Sequence, residues 1–243
     1  MAKSNAVQND PGGKGRRPPT KWGDREQRRI DILEAAHTCI VKQGYLALNM
    51  RDLAADAGIS PATLYSYFAS KETLFATLYV EAIREHTRRL EPVAQAGHDL
   101  VTLLRKVLES HLELYRTYGR HFTLWSAMRS EEVSAARRVP RELIEDLRAA
   151  TLTQARLQID AIRAAAEREG RRIADDRLVP SFLWSAMTGL ADHVTSERRA
   201  LDPYPAEQLF DFAAQRLALA ITDPAESMGS TESPRRKPRG QKS

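Results

Sequence analysis

The chain has 243 residues, a formal net charge of +5 and 42% hydrophobic residues, which is ample material for a small domain followed by a larger one. Its single cysteine excludes an internal disulfide and any zinc site built from several cysteines. It has no apolar run of 18 residues and no apolar N-terminal segment of the secretory type. We therefore expect a cytoplasmic protein with no membrane partner.

The positive charge is concentrated at the two ends. Residues 1–29 hold eight Lys or Arg against three acidic residues, and residues 223–243 hold five against three. Because segments 1–24 and 223–243 are also rich in Pro and Gly, we predict a disordered basic arm and a disordered basic tail.

A first helix is expected to follow Asp24, which is placed to cap it. Cys39 lies between Ala36 and Ile40 on this helix, a position that favours the core. A reactive thiol is the alternative, although the only basic residue near it in sequence is Lys42 on the next turn.

Residues 50–69 begin with the signals of a short helix and a tight turn. Asn49 stands at an N-cap position and Asp52 follows three residues later, so a helix is expected to start at Met50. Gly58 can end this helix in a left-handed conformation without steric cost.

A second short helix is expected directly after the turn. Ser60 can cap it and Pro61 suits its first position, while Leu64 and Phe68, four residues apart, would face a core. Ser70 can cap a third helix. This order is a helix-turn-helix, which favours DNA binding over a plain packing motif.

The outer side of the second helix is small and polar at its centre. A rotation of roughly 100° per residue places Ala62 and Ser66 opposite the core. Such a face can enter the major groove closely, with hydroxyls for phosphates or base edges and methyls for thymine. Its flanking residues are Thr63, Tyr65 and Tyr67.

Several motifs in the order and spacing of one family support this interpretation. Residues 25–83 resemble the TetR family of bacterial transcription regulators, through ILEAA (32–36), Gly44-Tyr45, RDLAADAGIS (51–60), ATLYSYF (62–68) and SKETLF (70–75). The resemblance implies a three-helix DNA-binding headpiece over residues 25–90. It also implies groove contacts from Pro61, Ala62, Thr63, Tyr65, Ser66 and Tyr67 and a backbone contact from Lys71. We add Asn49, Arg51 and Ser60 as candidate DNA-binding residues.

Two positions depart from the family pattern. Asn49 stands where the family usually has Thr, and Ala62 stands where many members have Gly. The operator sequence therefore cannot be taken from a relative.

The basic arm has two interpretations beside such a headpiece. Lys14, Arg16, Arg17 and Lys21 can add salt-sensitive contacts to phosphates or the minor groove, or they can simply keep the chain soluble. The sequence assigns no role to the basic tail.

Residues 91–222 read as helices separated by Pro or Gly, which gives an all-α protein of about nine helices with no convincing strand. The clearest helices are expected over residues 100–118, 140–170, 180–195 and 205–221.

The family resemblance implies that the last two helices pair with their copies in a homodimer, so that two recognition helices roughly 34 Å apart read a two-fold related operator in double-stranded DNA. Burial in the monomer core is the alternative. The candidate interface residues are Phe182, Ala186, Gly189, Leu190, Phe212 and Leu217.

The same resemblance implies a pocket for a small-molecule effector. An aromatic lining would suit a mostly apolar ligand, although each candidate can equally be ordinary core. No cofactor is expected, and no metal, because His111 has neither a His at i+4 nor a carboxylate at ligand spacing. The candidate lining residues are His111, Tyr115, Tyr118, Phe122, Trp125 and Phe182.

The rival functional classes have less support. The sequence has no serine elbow, P-loop, HExxH or dinucleotide fingerprint, so an enzyme is not expected. A helical DNA-binding protein with little sequence preference and no ligand switch remains the alternative. The family default is a repressor, although an activator would have the same motifs.

Overall fold

The computed structural model describes residues 25–119 and 139–224. The basic arm, the proposed cap Asp24, the candidate ligand residues Phe122 and Trp125, and all but the first two residues of the basic tail lie outside these ranges.

The described residues form an all-α fold, as predicted. The two ranges contain eight α-helices: α1 (Arg25–Gln43), α2 (Met50–Asp56), α3 (Pro61–Tyr67), α4 (Lys71–Gln95), α5 (Leu100–Tyr118), α6 (Arg141–Arg168), α7 (Val179–Thr195) and α8 (Ala206–Ile221). Two short 3₁₀ helices cover Tyr45–Ala47 and Glu197–Leu201. None of these helices is both long enough and apolar enough to cross a membrane.

The expectation of no strand was wrong. Strand β1 (Arg171–Ile173) pairs antiparallel with β2 (Thr222–Pro224), and the Arg171 Nε donates a hydrogen bond to Thr222 Oγ1 at 2.6 Å. Strands of three residues are too short to show alternation in the sequence, and their partners lie about 50 residues apart.

Residues 25–78 form one compact unit. Its core is built from the inner faces of α1, α2, α3 and the start of α4. Cys39 is half-buried rather than in this core, because it lies at the edge of the buried stripe of α1. The buried side chains include Ile32, Leu33, Ala36, Ile40, Leu53, Ala54, Leu64, Phe68, Leu74 and Phe75.

Residues 79–119 and 140–224 form the second unit, in which α5 packs against α6, α7 and α8. Helix α4 enters this unit and continues through Pro92 to Gln95, so the change of composition at Glu91 is not a helix end. Pro92 cannot donate a backbone hydrogen bond to the Arg88 carbonyl, and the helix ends three residues later. The core includes Leu104, Val107, Leu108, Ile162, Leu183, Met187, Phe210 and Ile221.

Candidate DNA interface and ligand cavities

The turn between α2 and α3 has the local structure that its residues predict. The Asn49 side chain caps α2 by accepting a hydrogen bond from the backbone N–H of Arg51 at 2.8 Å. Gly58 has φ 66°, the left-handed conformation that glycine adopts without a Cβ penalty.

Helix α3 is held at both ends. Ser60 Oγ accepts a hydrogen bond from the Thr63 N–H at 3.1 Å, and Pro61 occupies the first helical position. Leu64 and Phe68 are buried, which fixes the helix on the core. The opposite face is therefore presented in one defined orientation within this unit.

The outer face of α3 is exposed over most of its predicted contact residues, namely Pro61, Ala62, Thr63, Tyr65 and Ser66. The Tyr65 side chain is 49% exposed, and its hydroxyl makes no hydrogen bond within the described part of the chain. Ser66 Oγ donates to the Thr63 carbonyl at 2.7 Å, which leaves its lone pairs to accept from a ligand.

The side chains of Tyr67 and Lys71 are less exposed than those of the outer face, and both contact other residues of the unit. The Arg25 guanidinium lies 5.7 Å from the centre of the Tyr67 ring, and Tyr67 is half-buried. Lys71 Nζ donates to the Leu46 carbonyl at 3.3 Å and lies 4.4 Å from the centre of the Tyr45 ring. Burial lowers the pKa of Lys71, and the side chain secures the 3₁₀ helix that precedes α2.

The predicted ligand residues in the second unit fall into two groups. His111 and Tyr115 line a small cavity of about 10 Å³, together with Trp184 and Thr188. His111 is 3% exposed and neither ring nitrogen has a hydrogen bond. Burial lowers its pKa to about 4, so the ring is neutral at pH 7.

Tyr118 and Phe182 line neither the smaller cavity nor the larger one described below, so their ligand-binding role stays a prediction. The Tyr118 ring packs 5.6 Å from that of Tyr79, and burial raises its pKa to about 12. The Phe182 side chain is 48% exposed because its neighbour Leu183 occupies the buried face of α7.

A larger cavity of about 290 Å³ lies among α5, α6, α7 and α8. Sequence reasoning placed its apolar lining in the core and did not identify the cavity. The available signal was on α6, where Gln154 and Gln158 interrupt a buried apolar stripe. The lining includes Leu104, Val107, Leu108, Thr151, Gln158, Ile159, Ile162, Ser181, Trp184, Ser185, Met187 and Leu217.

The two glutamines differ in their partners. Gln154 Nε2 lies 2.9 Å from His86 Nδ1, and His86 Nε2 lies 2.6 Å from Ser110 Oγ. These contacts join α4, α5 and α6. Gln158, one turn further along α6, has no hydrogen-bond partner for its Nε2.

The candidate dimer residues are not equally available. Phe182, Gly189 and Phe212 are exposed, with Phe212 at 60%, whereas Ala186 and Leu190 are half-buried. Leu217 is wrong as an interface residue, because it is 6% exposed and lines the larger cavity. Leu219, which the sequence analysis did not name, is 55% exposed and lies seven residues after Phe212, on the same face of α8.

The described ranges hold no group of three or more His, Cys, Asp or Glu residues placed to bind a metal ion.

Comparison with known proteins identifies relatives of both units. A family model for bacterial regulatory proteins of the TetR family matches residues 32–78. The HTH-type transcriptional regulator BetI of Rhizobium meliloti is 33% identical over 139 residues, which cover 53% of this chain and 68% of BetI.

Other similarities cover different shares of the chain. The uncharacterised HTH-type regulator YfiR of Bacillus subtilis is 31% identical over 71 residues, so the match spans 29% of this chain and 35% of YfiR. The structure of the regulator FadR from Bacillus subtilis, in complex with stearoyl-CoA, matches with a TM-score of 0.55 at 20% identity. That match covers 79% of this chain and 98% of FadR, and it shows a shared fold.

Proposed function

Because the chain belongs to the TetR family of bacterial regulatory proteins, we propose that it is a sequence-specific DNA-binding transcriptional regulator. In this proposal a homodimer represses transcription by occupying a two-fold related operator. A small, mostly apolar ligand then releases the dimer from DNA.

The exposed face of α3 is the observation that carries the DNA-binding part. Ala62 and Ser66 form a small centre that allows close approach to base edges, and Thr63 and Tyr65 beside them are also exposed. Because Leu64 is buried behind this face, the hydroxyls and methyls meet DNA on a rigid support.

The exposed apolar side chains of α7 and α8 support a homodimer. Phe182, Phe212 and Leu219 are each about half or more exposed, which is unusual for such large apolar groups on one pair of helices. Pairing the two helices with their copies would bury them in a four-helix bundle. It would also link the two copies of α3 and raise the affinity for DNA through effective concentration.

The larger cavity supports the ligand switch. Its volume of about 290 Å³ and mainly apolar lining suit a small organic molecule. In FadR the shared fold is bound to stearoyl-CoA. A ligand that prefers the state with low DNA affinity must weaken DNA binding by the same free energy with which DNA weakens its own binding, typically about 1 to 3 kcal/mol.

Binding of the purified protein to DNA from just upstream of its own gene tests the proposal. A salt series with excess unrelated competitor should leave a specific complex at near-physiological salt, with a footprint of two-fold symmetry. Equal, strongly salt-dependent binding to every DNA would instead favour a non-specific binder without a ligand switch.

A further inference from the structure

Buried polar atoms without hydrogen bonds occur beside the two cavities of the second unit. Across residues 25–119 and 139–224, four such side-chain atoms are found: both ring nitrogens of His111, Nε2 of Gln158 and Oγ1 of Thr188. Gln158 lines the larger cavity, and the other two residues line the smaller one. Since nearly all buried polar atoms in proteins are bonded, we expect a ligand or an ordered water to complete these groups.

Gln158 is the one of these residues that lines the cavity of ligand size. It is 9% exposed, and its apolar neighbours around the cavity, such as Ile159 and Ile162, provide no acceptor. Thr151 on the same wall already donates its hydroxyl to the Leu147 carbonyl at 2.9 Å. The smaller cavity has room for only about one hydroxyl or water, so it is not a separate ligand site.

The lining also favours an uncharged occupant. None of the fifteen described residues around the larger cavity is Lys, Arg, His, Asp or Glu. An ion placed there would lose its hydration without gaining an ion pair, whereas a neutral apolar body would lose nothing comparable.

We propose that the ligand is an uncharged, mainly apolar molecule with one ketone, ester or amide carbonyl, bound in the larger cavity with that carbonyl oxygen accepting from Gln158 Nε2. This inference rests on the proposed ligand-responsive regulator and specifies the chemistry of its effector. Gln158 acts as the selecting group because only an acceptor satisfies its buried N–H groups.

A set of three naphthalene probes tests the proposal on the full chain without DNA. Calorimetry would compare 2-acetylnaphthalene, which has the carbonyl, with 2-ethylnaphthalene, which lacks it, and with the anion 2-naphthoate. Gln158→Met keeps the length of the side chain and removes the amide. Gln208→Met is the matched control, because it makes the same change at an exposed glutamine of α8 that does not line the cavity.

The ketone should bind wild type, and Gln158→Met should weaken it by about tenfold, the ordinary effect of losing one buried hydrogen bond. The same variant should change 2-ethylnaphthalene binding by less than about twofold, and 2-naphthoate should bind wild type at least about tenfold more weakly than the ketone. Gln208→Met should leave all three affinities within about twofold.

The melting temperature controls for folding. Gln158→Met breaks no hydrogen bond of its amide nitrogen, so it should melt no lower than wild type, and Gln158→Leu provides a second apolar variant.

The proposal fails if no probe binds wild type, if the ketone and the hydrocarbon lose affinity equally in Gln158→Met, or if 2-naphthoate binds as tightly as the ketone. Adding operator DNA afterwards separates the two proposals. Ketone binding without release of DNA would contradict the ligand switch and leave the carbonyl site intact.

Discussion

The two units of the chain treat their polar side chains in opposite ways. In residues 25–78, Asn49, Ser60 and Ser70 each cap a helix, and Thr63, Tyr65 and Ser66 on α3 are exposed. In residues 79–119 and 140–224, His111 and Gln158 are buried with nitrogen atoms that have no partner. The first unit thus presents polar groups on a rigid exterior, whereas the second unit keeps them inside, beside a cavity.

This difference indicates which kind of partner suits each unit. Exposed hydroxyls remain hydrated until a polar partner such as DNA replaces the water, so they cost the folded protein nothing. Buried unpaired groups destabilise the fold by about 1 to 3 kcal/mol each, and a ligand that satisfies them recovers that free energy on binding. In the second unit, this recovered free energy would favour a ligand that satisfies the buried groups over one that does not.

The largest expected effect is on specific DNA binding, from substitutions on the outer face of α3. Thr63→Ala combined with Tyr65→Ala removes four candidate contacts from a dimer on DNA and should weaken specific binding by roughly a thousandfold. Thr153→Ala combined with Tyr204→Ala, which removes an exposed Thr and an exposed Tyr from the second unit, should have no effect. Electrophoretic mobility shifts measure DNA binding by both double variants. If Thr63→Ala with Tyr65→Ala still prefers operator over unrelated DNA, α3 is not the recognition helix.

The second expected effect is on association. Phe212→Glu places a charge on the exposed apolar face of α8 and should raise the dimer dissociation constant by about a hundredfold. Sedimentation equilibrium measures it, with Leu201→Glu as the control, because Leu201 is 84% exposed on the 3₁₀ helix outside that face. If Phe212→Glu sediments as wild type does, the candidate interface lies elsewhere.

Sequence reasoning succeeded where the signal was local. Asn49, Gly58, Ser60 and Pro61 each specify backbone geometry within four residues, and the structure confirms the helices they delimit. The cavity is a different problem, because its walls come from four helices whose packing no short motif encodes. Leu217 shows the limit: on a helix with apolar groups on two sides, composition does not tell which side faces inward.

The third expected effect concerns pH and the buried histidine. The pKa of His111 falls from 6.5 to about 4 on folding, so between these values the unfolded chain takes up a proton that the folded chain refuses. The free energy of unfolding therefore falls as pH drops through this window. By pH 5, His111 lowers it by about 2 kcal/mol relative to neutral pH.

Urea unfolding of His111→Phe at pH 7.5 and pH 5 checks this directly. The variant should lose less stability than wild type between the two values, with the remainder including the buried His86, whose pKa burial also lowers. Identical pH dependence in His111→Phe and wild type would show that His111 is not the group that titrates.

The smallest expected effect is on stability, from substituting two glycines whose backbone is in the left-handed conformation. Gly58 and Gly170 have φ 66° and 67°, and a Cβ at either would meet no atom within 4 Å. Replacing either by Ala should therefore cost about 1 kcal/mol of unfolding free energy, from backbone strain alone. Gly58→Asn should cost less, because Asn tolerates the left-handed conformation.

The two glycine variants should differ in function although they match in stability. Gly58→Ala strains the turn that sets α3 against α2 and should weaken operator binding, whereas Gly170→Ala, before β1, should leave it unchanged. Denaturant unfolding and mobility shifts on the same preparations measure both quantities. If both variants weaken operator binding equally, the loss follows global stability rather than the orientation of α3, and the rigid exterior face would no longer explain recognition.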